Sequence, residues 1–144
     1  MFIEENKPIE VIVHYRKVGK GYVAYTNSAF KDSKLAPELK AKYKSVSVSM
    51  KPLTWELYND LQDKSFINDE DSGKRKFNYR LYKENKLKTL ILKWDAQTTN
   101  EKGETIAVPV NEKNIMSLSP DIAEAILEGY DNEALMTEEE EKKS

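Results

Sequence analysis

Cysteine is absent from the 144 residues, and histidine occurs once, at His14. Disulfides, thiol catalysis and thiolate metal sites are thereby excluded, and histidine-rich zinc or iron sites lose their usual ligands. Glycine is scarce, at five residues, and Gly19-Lys20-Gly21 lacks the Gly-x4-Gly-Lys spacing of a phosphate-binding loop. No apolar run approaches the roughly 20 residues that a membrane-spanning helix needs. The opening MFIEENKPIEV carries acidic residues where a signal peptide carries basic ones, so the chain reads as cytoplasmic. Nor is there an excess of charge of one sign. The 23 basic and 25 acidic residues leave a net −2, which gives no global attraction to nucleic acid or to anionic membranes.

What is present suits one folded unit. Hydrophobic residues make up 39% and charged residues 33%, a balance that supports a modest core with solvated loops rather than a disordered chain. The reading is a single α+β domain over residues 1 to 135, an amino-terminal antiparallel β-meander (1 to 51) followed by a mainly helical part (52 to 135). The last stretch, TEEEEKKS, has no apolar group and reads with Met136 as a disordered acidic tail over 136 to 144.

Alternation carries the first part. In PIEVIVHYRKV, Ile9, Val11, Val13 and Tyr15 fall on one face and Glu10, Ile12, His14 and Arg16 on the other, which predicts a strand. A glycine turn at Gly19 to Gly21 leads into GYVAYTN, closing a hairpin. The lysine-rich segment from Ser28 reads as a loop with a turn or two of helix after Pro37. SVSVSMK predicts a third strand, with Val46, Val48 and Met50 buried and the serine face wet and free to pair with another chain.

Helical spacing carries the second part. Thr54 is placed to cap a helix bearing Leu57, Tyr58, Leu61 and Phe66. Ser72 is placed to cap a longer one over KRKFNYRLYKENKLKTLILKWDA, bent near Glu84 to Lys86, with Phe77, Leu81, Leu87, Leu90, Ile91 and Trp94 on its stripe. Trp55 and Trp94 read as core residues on these stripes rather than as ligand platforms. Gly103 suits a tight turn before the extended run TIAVPV. Asn111 and Ser119-Pro120 then start two further helices, the last striped by Ile122, Ala125, Ile126 and Tyr130.

Three constellations invite a functional reading. NDEDSG has three ligand-type residues of a calcium loop, but the twelfth position is Tyr79 rather than a bidentate carboxylate; a solvated turn explains the same letters. Lys74, Arg75, Lys76 and Arg80 interleave with Phe77 and Tyr79, chemistry apt for single-stranded nucleic acid, although such basic residues also serve as a helix's wet face. His14 has no nucleophile or orienting acid placed beside it by the sequence and reads as structural. No catalytic, cofactor-binding or metal-ligating residue is assigned.

The segment KTLILKWDAQTTNEKGETIAVPVNEKNIMSLSPDIAEAILEGY resembles the carboxyl half of bacteriophage tail assembly chaperones. The matching residues are Trp94, Asp95, Gly103, Val108, Pro109, Val110, Asn111, Ile115, Leu118, Pro120 and Ile126, and VSMKPLTWELYNDL is similar to the family's strand-to-helix passage. The likeness spans residues 45 to 130 and leaves the first 44 unmatched. It implies a non-enzymatic tail-module protein of the host cytoplasm that binds the tape measure protein through an apolar helical surface, with other tail proteins or further copies of itself as partners. Ile122, Ile126 and Tyr130 are the candidate partner-facing stripe; the same stripe suits the closing of the domain core somewhat better. The alternatives are a structural component of the virion and a small nucleic-acid-binding regulator.

Overall fold

The alternating segments find one another first. In the computed structural model, which describes residues 1 to 135, the chain runs β1 (Ile9–Val18), β2 (Gly21–Thr26), α1 (Asn27–Asp32), α2 (Pro37–Lys40), β3 (Lys44–Met50), α3 (Trp55–Asp63), β4 (Phe66–Asn68), β5 (Arg75–Phe77), α4 (Tyr79–Leu90), β6 (Ile91–Trp94), β7 (Gln97–Thr99), β8 (Thr105–Ala107), α5 (Glu112–Met116) and α6 (Pro120–Ala134). The acidic tail expected over 136 to 144 lies outside the described residues. Four strands form an antiparallel sheet in the order β2-β1-β3-β6, and β4-β5 and β7-β8 form two separate hairpins. The fold is α+β, an amino-terminal sheet followed by helices. Among the described residues, no helix is long and apolar enough to cross a membrane.

Register explains the core. Ile9 pairs with Met50, Val11 with Val48 and Val13 with Val46, so the apolar faces of β1 and β3 coincide. Val11, Val13, Val48 and Met50 are fully buried. Helix α6 lies across β1 and β2 and supplies Ala125, Ile126, Leu127 and Tyr130, while Leu87 and Leu90 of α4 and Ile115 of α5 complete the same cluster. Pro120 at the first turn and Asp121 beside the helix's positive end favour the start of α6 where the sequence places it.

Two expectations are corrected. The segment from Lys74 to Ala96 is not one bent helix. Asn78, not Ser72, is the cap, its side chain accepting from the Leu81 amide at 3.0 Å. Before it, Arg75 to Phe77 pair with Phe66 to Asn68, which also removes Phe66 from the α3 stripe. The helix continues unbroken through Glu84 to Lys86 and stops at Leu90, after which Ile91 to Trp94 join β3. The reason is tertiary: β3 offers a free edge to a short apolar run, and a backbone bond from the Lys51 amide to the Leu90 carbonyl at 2.8 Å closes the junction. The helical second part therefore contributes a strand to the amino-terminal sheet.

The second correction concerns the serine face of β3. Ser49 is buried, and its hydroxyl donates to the Glu10 carboxylate on the neighbouring strand; Ser47 donates to the same carboxylate at 3.3 Å. Because β3 lies between β1 and β6, its Val48 to Met50 stretch is paired on both sides and has no edge to offer another chain.

Local signals in the last third hold. The Asn111 side chain accepts from the Asn114 amide at 2.8 Å, and Gly103 takes the positive φ of 79° that the β7-β8 turn requires. Asn111→Ala should lower stability by about 1 kcal/mol, the usual worth of an amino-terminal cap, read as a shift of the urea midpoint at unchanged slope.

Candidate functional site

An open concavity of the described surface grows from the start of α3. Thr54 caps this helix, its hydroxyl accepting from the Leu57 amide at 3.2 Å. The cap fixes where the helix starts, and its apolar residues Leu57 and Leu61 turn inward while Trp55 is left outside. At 100° per residue Trp55 lies about 200° around the helix from Leu57, so both cannot face the core. The indole is 76% exposed and stacks on Tyr58 with ring centroids 5.8 Å apart and planes 20° from parallel. The expectation that Trp55 is a core residue is thus overturned, and the helical spacing already contained the reason.

A groove of about 900 Å³ runs beside Trp55. Pro52, Leu57 and Leu92 give it apolar lining, and Glu5, Glu56, Asp60 and Asp63 surround it with carboxylates, against a single lysine, Lys51. Leu92 belongs to the edge strand β6, where the register against β3 steps from Lys93 to Ile91 and leaves Leu92 as an extra, bulged residue. Bulges re-aim a side chain, and this one brings Leu92 to the groove with its outer surface 44% exposed. Asp60 is paired at 2.9 Å with Lys64, the residue that follows α3. Stacking faces, apolar contact and carboxylate acceptors together suit noncovalent recognition of a polypeptide carrying apolar and cationic side chains.

The residues singled out from the sequence lie elsewhere. Ile122, Ile126 and Tyr130 are 9%, 1% and 2% exposed and face the sheet, so this stripe closes the core and is not a surface for a partner in this fold. The apolar face of α6 is the natural cover for the valines of β1, which leaves nothing over for a second helix. The Tyr130 hydroxyl donates to the Lys51 carbonyl at 2.8 Å. Burial, reinforced by neighbouring Asp131, pushes this phenol up to about 12.

His14 lies on the opposite face of the sheet, beneath α1. Its ring stacks on Phe30 at 4.1 Å and shares a 2.9 Å hydrogen bond with the Asn27 side chain, in a cluster that includes Tyr25 and Tyr43. Trp94 behaves as expected: it packs against the core, and its indole nitrogen donates to the Val108 carbonyl at 2.7 Å, tying the β7-β8 hairpin to the sheet.

The acidic turn NDEDSG joins β4 to β5. Asp69 accepts from the Asp71 amide at 3.0 Å and from the Ser72 hydroxyl at 3.1 Å, and Gly73 takes a φ of 70°. Its side chains therefore hold a hairpin turn. The basic and aromatic residues that follow are split between β5 and α4. Phe66 and Phe77 pack edge to face, Arg75 lies 5.0 Å over Phe66, and Tyr79 stacks on Tyr82 under the Lys83 ammonium. Several of the rings that would stack on bases are thus already engaged by one another.

Compared with protein-family models, curated proteins and solved structures, the chain finds no match.

Proposed function

We propose that this chain is a non-enzymatic bacteriophage tail-module protein, a tail assembly chaperone that holds an apolar helical segment of the tape measure protein in the groove beside Trp55. The observation that carries the reading is the exposed Trp55, stacked on Tyr58, at the lining of an open, partly apolar groove. Aromatic anchors beside an apolar trough are the surface by which proteins take up amphipathic helices. The resemblance of residues 45 to 130 to tail assembly chaperones supplies the partner. The binding surface moves from α6, where the sequence suggests it, to α3 and β6.

Co-expression with a tape measure protein from the same genome tests this. The chaperone should raise the soluble yield of its partner, and Trp55→Ala should weaken binding by roughly 2 kcal/mol, about thirtyfold, while leaving the thermal midpoint within the small range of surface substitutions. An unchanged partner yield with the intact protein would remove the chaperone reading. Unaltered binding by the Trp55 variant would remove the groove.

A second reading, a structural component of the particle, is favoured by the outer edge of β6, which ends the sheet and can accept a strand from a neighbour. A stoichiometric band of this chain in purified virions would select it.

A further inference from the structure

We propose that Met1, Phe2 and Ile3 form a strap that folds back over the groove beside Trp55, so that the free chain covers its own binding surface. Strand register brings the strap to the groove. Ile9 of β1 stands opposite Met50 of β3 in an antiparallel pair, so the residues before Ile9 run back alongside those that follow Met50 and lead into α3. Glu5 accordingly lines the groove together with Lys51, Pro52, Thr54 and Trp55. The chain is held there by a turn, in which the Lys7 amide donates to the Glu4 carbonyl at 3.2 Å and the Lys7 ammonium pairs with the Glu4 carboxylate at 2.8 Å. The strap is therefore rooted at the groove.

Its side chains match what the groove offers. Phe2 and Ile3 are 90% and 52% exposed and Met1 is wholly so, three consecutive large apolar residues left in water. The groove presents Trp55 and Leu92, both exposed, beside Pro52 and Leu57. Laying one surface on the other removes both from water at once. Reach is sufficient, since Phe2 is three residues from Glu5 and an extended chain covers that interval in about 10 Å. Tethering makes even a weak contact effective, because a short flexible connection holds the strap at an effective concentration in the millimolar range. An incoming helix has to displace the strap, so its apparent affinity is reduced to the fraction of molecules that stand open.

The inference rests on the groove of the proposed function, as a regulation of that site, and not on the tape measure protein as its partner.

Acrylamide quenching of tryptophan fluorescence in the full chain tests it, comparing the wild type with Phe2→Ser combined with Ile3→Ser. Trp94 packs against the core in both proteins, so the difference reports on Trp55. Both substituted positions are exposed, so folding should persist, and urea unfolding checks it. With most molecules closed, the quenching constant of the wild type should be about half that of the variant. Engineered cysteines give a second measurement, because the chain has none of its own. Ile3→Cys with Leu92→Cys should oxidise to a disulfide within one chain. Ile3→Cys with Lys20→Cys, at the far end of the ten-residue β1, should not. Equal quenching of wild type and variant overturns the proposal and makes Met1 to Ile3 a frayed end. Equal cross-linking of the two cysteine pairs also overturns it, as do disulfides formed between chains in place of the one within, which would give the groove to a second copy. All of this is read on the free chain, so a strap that never closes leaves binding of a tape measure helix to its own test, and a chain that binds no such helix can still close.

Discussion

Replacing Gly129 by valine should destabilise the fold by about 2 to 3 kcal/mol, the upper part of the range for overpacking a buried contact. An ideal Cβ at position 129 would lie 2.7 Å from Cγ1 of Val11, a distance at which something must shift. Val11 is fully buried in β1 and paired with Val48 of the central strand β3, so it has little freedom to retreat. Helix α6 is held on its other residues by Ile126 and Tyr130. Alanine at 129 gains about 1 kcal/mol of helix propensity over glycine, yet should still be destabilising, because the clash begins at Cβ. Val11→Ala removes the opposing methyl, so the pair Gly129→Ala with Val11→Ala should be more stable than the sum of the single losses. Urea unfolding of the four species in a double-mutant cycle measures that coupling. A Gly129→Ala variant more stable than wild type would mean that α6 can ride outward, and that close helix–sheet contact is not the reason for glycine here.

The second large effect is a loss of stability in alkali. Tyr130 has its phenol pushed from the ordinary 10 up to about 12, chiefly by burial. A group whose folded value is raised stabilises the fold fully below its unfolded value. That contribution is lost as pH rises through the interval from about 10 to about 12. Two units at 1.36 kcal/mol each amount to roughly 2 to 3 kcal/mol over that window. Burial also raises Tyr15 and Tyr82, so the wild type should lose stability by more than one route. Tyr130→Phe isolates the largest. At neutral pH it should cost about 1 kcal/mol for the lost bond to the Lys51 carbonyl, and in alkali its stability should fall less steeply than that of wild type. Parallel alkaline limbs for the two proteins would show that the Tyr130 hydroxyl is open to water.

The candidate site was only partly legible from the letters. The cap at Thr54 and the inward pair Leu57 and Leu61 were readable, and the same rotation places Trp55 outside; its size and apolar character argued the other way. Leu92 was not readable as a groove residue, because its position depends on a bulge in a strand that the helical pattern had absorbed. The approach of Arg75 to the end of α3 was also invisible in sequence, since it follows from the turn that brings β5 back to Asp63.

By itself the sequence determined the elements whose periodicity is strict or whose ends are chemically marked. β1 and β3 alternate cleanly, Thr54 and Asn111 accept the amides of their own first turns, and Pro120 opens a helix whose apolar stripe is complete. These signals act over a few residues and need no distant partner. Tertiary structure alone decided the fate of Ile91 to Trp94, of Phe66 and of the stripe on α6. A short apolar run fits a helix or a strand equally well, and the open edge of β3 made the choice by satisfying its backbone. Likewise an apolar helical face looks the same whether it awaits a partner or a sheet. The valines of β1 settled it, because burying Ile122, Ile126 and Tyr130 against them removes both surfaces from water at once.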